Sequence, residues 1–321
     1  MRAFLLALGV SAYGAIAHRA PPGCCLGDNP VMSTAPSTTG TPSVRHLVFA
    51  HANGYLPGSY ARFLAALGSA ISPGQIVAPA LVTPPGLQAS KRWPTMMEQL
   101  DATVSAYDAK ILIGHSMGGY LCLQVAARRP GVQAVVLIDS PLPTGWRSAL
   151  LSFAKFTRLS YRTGPAPIAA RRRDRWPSIE HARRHFAGKP FVQRWAPGVL
   201  DDFLAHAVVP DGPEEVMLAV PRAVERDIYA HIAHEHAARA LRMLRLQGTP
   251  VGFVAGECSP EVRLAGFRQN ARLFAPHWRT LPTGHLVPLD APDRCAETVF
   301  DLLGRLLKGE ARVARCKGNA E

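Results

Sequence analysis

Residues 111–124 read ILIGHSMGGYLCLQ. A short apolar run passes directly into Gly114-His115-Ser116-Met117-Gly118-Gly119, and a helix-like pattern begins at once. A serine kept only for solubility needs no such neighbours. A serine that must stand proud of a tight strand-to-helix turn does, because side chains two positions to either side would collide. The helix that follows directs its first N–H groups toward the serine and favours negative charge there. The stretch therefore predicts strand, sharp turn and helix, with Ser116 as a candidate nucleophile.

The same rhythm extends on both sides. Apolar runs without alternation predict strands over 46–51, 75–80, 109–115, 132–139, 250–256 and 277–282. Strands of that kind are covered on both faces, hence a mostly parallel sheet of about six strands flanked by helices. Helices are predicted over 60–70, 94–107, 118–130, 261–274 and 291–308, with Pro94 suited to a first turn and Pro130 as a stop. Between the fourth and fifth strands lie roughly 105 residues with no convincing strand, too many for a plain loop. They predict an all-helical insert over the edge where the strands end. The expected organisation is a tail over 1–43, an α/β core over 44–140 and 248–310, a helical cap over 141–247, and a C-terminal tail over 311–321.

Gly114-His115-Ser116-Met117-Gly118 matches the G-x-S-x-G nucleophile elbow in its proper setting, strand before and helix after. The chain resembles the α/β-hydrolase superfamily, in particular its capped serine esterase and thioesterase branch, over about residues 45–308. That resemblance implies an α/β-hydrolase fold with a catalytic triad and an oxyanion hole. It implies a base in the loop after the last strand, where Gly284-His285-Leu286-Val287-Pro288 supplies His285. It also implies one oxyanion donor from the N–H of Met117. A second is expected from the loop HANGYLPGSY (51–60), from Asn53, Gly54 or Tyr55. The family commonly opens with an antiparallel hairpin, whose place is taken here by the tail.

The acid departs from the usual pattern. Ser259 stands three residues beyond the glycine ending "VAG", where most of the family carries Asp. Asp139, at the end of the preceding strand, is the first choice, with Glu257 and Glu261 as alternatives. "IDSP" also reads as an Asx turn, which would give Asp139 a purely structural role. A serine at position 116 excludes the dehalogenase and epoxide hydrolase branches, which place Asp there. Ester or thioester cleavage through an acyl-enzyme is the leading expectation. The alternatives are a non-catalytic ligand-binding protein of the same fold, or a C–C bond hydrolase or acyltransferase. The expected partner is a small-molecule acyl substrate. The chemistry requires no cofactor and no metal. "HIAHEH" (231–236), although metal-like in composition, is expected to be a helical surface patch.

Composition narrows the classes further. The chain has 321 residues, 48% apolar and 18% charged, which excludes wholesale disorder. Its net charge of +13 comes from 30 Arg and six Lys against 23 acidic residues. Eleven Lys/Arg fall between 155 and 194, against Asp174 and Glu180, either rimming an entrance for anionic substrates or forming a solvated face. Trp176, Phe186, Phe191 and Trp195 are expected to pack the cap onto the core. No zinc-knuckle spacing or aromatic-interleaved basic motif points to nucleic acid. The six Cys form neither a disulfide framework nor a metal-ligand pair, which fits reduced thiols in the cytoplasm. "MRAFLLALGVSAYGAIA" is too short and Gly-interrupted for a membrane span, yet it imitates a secretory signal, so export is the alternative. A start at Met32 is the other reading of this segment. Oligomeric state is not legible.

Overall fold

The computed structural model describes residues 46–71 and 75–318. Expectations about the tail over 1–43, the signal-like segment, the Met32 start and the opening hairpin lie outside the described residues.

Six strands form one sheet: β1 (His46–Ala50), β2 (Gln75–Val77), β3 (Ile111–His115), β4 (Ala134–Ile138), β8 (Val251–Gly256) and β9 (Trp278–Leu281). Their order is β2-β1-β3-β4-β8-β9, and every pairing is parallel. Alternation along each strand divides the core in two. Ile111, Ile113, Val136 and Ile138 face a cluster completed by α1 (Ala61–Ala70) and α13 (Pro292–Gly318). Leu112, Val135 and Leu137 face the other cluster, with α2 (Arg92–Ala106), α3 (Met117–Ala126) and α9 (His234–Gln247). Both faces being covered explains why β4 is apolar throughout and β3 carries no polar side chain before His115.

The insertion between β4 and β8 carries α4 (Trp146–Phe156), α5 (Pro165–Arg171), α6 (Ile179–Ala187), α7 (Val199–Ala207) and α8 (Arg222–Ala230), and ends in α9. It is not all helical. β5 (Arg175–Trp176), β6 (Val208–Pro210) and β7 (Val216–Leu218) form a small antiparallel sheet in the order β5-β7-β6. Strands of two or three residues are too short to show a period. The one usable signal was Pro210-Asp211-Gly212, a turn sequence whose glycine adopts φ +90° between β6 and β7.

Trp176, Phe186 and Trp195 are buried in the same cluster as Tyr60 and Phe63, and so join the insertion to the sheet. Arg92 of α2 adds a polar tie, donating to Asp227 of α8 at 3.3 Å and to Thr83 at 2.9 Å. Two boundaries differ from expectation. The helix expected over 261–274 breaks at Gly266, φ +102°, into α10 (Pro260–Ala265) and α11 (Phe267–Phe274). The last helix continues to Gly318, past the core boundary expected at 310. A short helix α12 (Val287–Asp290) precedes it.

Candidate active site

Ser116 sits between β3 and α3 with φ +53° and ψ −115°. A non-glycine residue held there costs about 1–3 kcal/mol, so the surroundings must enforce it. They do so by close backbone approach: a Cβ on Gly114 would strike the Gly118 backbone, and one on Gly118 would strike the Ala50 carbonyl. The Ser116 N–H is held by Ile138 O at 2.9 Å. The turn is thus clamped between β1 and β4.

The loop after β9 brings His285 to this serine. Ser116 Oγ donates to His285 Nε2 across 3.0 Å, and His285 Nδ1 donates to Asp139 Oδ2 across 2.6 Å. A carboxylate can only accept, so Nδ1 carries the proton and Nε2 is left to accept from the serine. Asp139 is fully buried at the end of β4, itself at φ +43°. Its Oδ1 accepts the Gly256 N–H at 2.7 Å, and Oδ2 also accepts from Ser259 Oγ at 2.6 Å. Burial pushes its carboxyl above the ordinary range, while the His285 hydrogen bond and charge pull the other way.

The other two acids stand apart from that contact. Glu261 Oε2 lies 3.7 Å from His285 Nδ1 and accepts from Ser259 Oγ at 3.2 Å. Glu257 is exposed and accepts from Thr280 Oγ1 at 2.9 Å, with no bond to the imidazole. For His285, burial lowers the pKa, but the Glu261 charge and then the Asp139 bond outweigh it and raise it to about 9. Asp139, Glu261 and His285 are the one group among the described residues with three ligand-type atoms within 4.8 Å of one another. The hydrogen bonds just given already account for that closeness.

A second chain of bonds, invisible in the sequence, ties the His285 loop to the opposite loop. His115 Nε2 donates to the His285 carbonyl at 2.9 Å, which leaves Nδ1 to accept from Tyr60 Oη at 2.8 Å. Tyr60 Oη in turn accepts the Ala52 N–H at 3.1 Å. Burial, followed by the neighbouring His285, drives the His115 pKa down to about 3, so this relay stays neutral.

Of the expected oxyanion donors, Tyr55 N–H is already engaged, donating to Ala52 O at 3.2 Å. Asn53 and Gly54 line a small cavity of about 20 Å³ together with Met117 and with Val220, Val224 and Ile228 of the insertion. That volume holds about one water. Asn53 Nδ2 donates to the Glu225 carbonyl of α8 at 3.1 Å. The Glu225 carboxylate accepts from Arg172 at 2.6 Å beside Gly54, whose φ is +80°. The insertion therefore closes directly on this loop.

The "HIAHEH" segment is not a surface patch throughout. His234 is buried at the start of α9, with Nε2 3.3 Å from both Ser148 O and Ser152 Oγ.

A match to the alpha/beta hydrolase family model spans residues 47–298, and the chain belongs to that family. No curated protein matches it in sequence. Among solved structures, the thioesterase domain from the curacin biosynthetic pathway is similar at TM-score 0.61 and 18% identity, over 81% of this chain and 92% of that one. E-2-(acetamidomethylene)succinate hydrolase follows at 0.59 and 16%, over 81% and 91%. An esterase of M. tuberculosis is similar at 0.57 and 18%, over 82% and 86%. At such identities these likenesses speak for the shared fold. No helix among the described residues is long and apolar enough to cross a membrane.

Proposed function

We propose that the protein is a serine hydrolase that cleaves a carboxylic ester or thioester through an acyl-enzyme. The observation that carries this reading is the unbroken chain Ser116 Oγ–His285 Nε2 at 3.0 Å and His285 Nδ1–Asp139 Oδ2 at 2.6 Å, at the carboxyl edge of the sheet. Ser116 Oγ attacks the carbonyl carbon as its proton passes to His285 Nε2. The tetrahedral oxyanion is received by the N–H of Met117 and by that of Asn53 or Gly54. His285 returns the proton to the departing alcohol or thiol. Water, deprotonated by the same nitrogen, then attacks the acyl carbonyl and frees the acid and Ser116. Asp139 holds the tautomer and stabilises the imidazolium that forms.

The insertion over 141–247 acts as a cap in this scheme. Its α8 meets Asn53 and walls the cavity beside Met117, so an acyl group larger than a water enters there only if this wall yields. The alternative of a non-catalytic ligand-binding protein was motivated by Ser259 standing in the acid's usual place. The Asp139–His285 bond weighs for the enzyme instead. A fluorophosphonate probe is expected to label the wild type at Ser116 and to leave Ser116→Ala unlabelled; a wild-type protein that resists labelling while binding ligands would favour the binding role.

A further inference from the structure

Helix α4, the first of the insertion, turns an aromatic face to solvent. Trp146 is 62% exposed, Phe153 56% and Phe156 87%. With Ala149 they lie within about 80° of arc on the helix. The rest of the helix is fixed to the insertion, where Ala154 is buried and Ser152 and Lys155 each bond to Glu235 at 2.6 Å. Three large aromatics in one exposed stripe exceed the scattered apolar residues normal on a surface.

The segment that carries this face has charge of one sign, although Glu235 of α9 packs against the helix through Ser152 and Lys155. Residues 140–173 contain seven Lys/Arg (Lys155 and Arg147, Arg158, Arg162, Arg171, Arg172 and Arg173) and no Asp or Glu. Among the described residues, only Lys155 and Arg172 of these pair with a carboxylate. Arg147 stacks its guanidinium over the Trp146 ring at 4.6 Å, and Arg158 and Arg162 are exposed just beyond the helix. A second copy of this chain would bring the same cations to the contact and be repelled. An anionic lipid surface accepts both features at once, aromatic rings at the acyl boundary and cations among the headgroups.

We propose that α4 is a membrane-surface docking helix that inserts Trp146, Phe153 and Phe156 into an anionic bilayer interface without spanning it. This docking is independent of the chemistry at Ser116, and Ser116→Ala is expected to bind vesicles as the wild type does.

The test is co-sedimentation of the full chain with vesicles of equal parts phosphatidylcholine and phosphatidylglycerol, against pure phosphatidylcholine. Binding to the anionic vesicles is expected, weakening as salt screens the cations. Trp146→Ser/Phe153→Ser/Phe156→Ser is expected to lower partitioning at least about tenfold, and Arg158→Glu/Arg162→Glu to lower it as well. Thermal melts of these surface variants should match the wild type, which separates lost docking from lost folding. A wild type that ignores anionic vesicles, or a triple variant that binds them as well as the wild type, overturns the proposal. So does a concentration-dependent dimer that the triple variant dissolves while vesicle binding is absent, which would give the face to a second copy.

Discussion

Ser259 donates its hydroxyl hydrogen to Asp139 Oδ2 across 2.6 Å. The residue standing where the family resemblance would place the acid therefore bonds to the carboxylate that reaches His285 from the neighbouring strand end. β4 and β8 are adjacent and parallel, with Ile138 paired to Val254, so their carboxyl ends open onto the same point. An acid on either strand can serve one imidazole.

Asp139→Asn is accordingly expected to lower kcat by about four orders of magnitude, because the wrong tautomer then faces Ser116. Glu257→Gln should stay near the wild type, since Glu257 bonds to Thr280 and not to the ring. Steady-state kinetics on one ester substrate measures both; the reverse ordering would remove Asp139 from the proposed role.

The closeness of the two strand ends can be tested by moving the acid. Asp139→Ser combined with Ser259→Asp exchanges two residues already in hydrogen-bond contact. The double variant is expected to recover at least about tenfold of the kcat lost in Asp139→Ser alone. No recovery would mean that a carboxylate at 259 cannot meet Nδ1 in this backbone.

The pH profile follows from the charges around His285. The imidazole must be neutral to accept the Ser116 proton, and its pKa is raised to about 9. Thus kcat/KM should rise with pH and level off only near that value. Glu261 supplies the largest of the raising influences, so Glu261→Gln should move this limb to lower pH. A limb that stays in place would assign the rise to another group.

Tyr60→Phe removes the hydroxyl that joins His115 Nδ1 to the Ala52 N–H. Two buried polar groups lose their partner, at a cost of about 1–3 kcal/mol each. Urea unfolding should report the loss. A fall in kcat with KM little changed is expected as well, because both loops that the proposed mechanism uses, that of His285 and that over 51–60, hang on this chain.

Two glycines should respond in opposite directions. Gly118→Ala drives a methyl into the Ala50 carbonyl, and a destabilisation of about 3 kcal/mol or a failure to fold is expected. Gly304→Ala in α13 meets nothing within 4 Å and should stabilise by about 0.5–1 kcal/mol. Melting temperatures of the two variants separate a packing constraint from simple helix propensity.

The amino-acid sequence alone determined what local signals carry. Doubly covered strands read as unbroken apolar runs, the glycines around Ser116 mark a turn no larger residue fits, and His285 follows the last strand within a few residues. These are statements about neighbours along the chain, where sterics and periodicity act. Tertiary structure decided what depends on groups far apart in sequence meeting in space. It chose Asp139 over Glu257 and Glu261 as the direct partner of His285, 146 positions away. It committed Tyr55 N–H to a turn and buried His234 beneath α4. It also left the aromatic face of α4 open to solvent while burying Trp176, Phe186 and Trp195. Aromatic residues in two stretches of the insertion look alike as letters; which of them meet the core is set by the packing of distant elements.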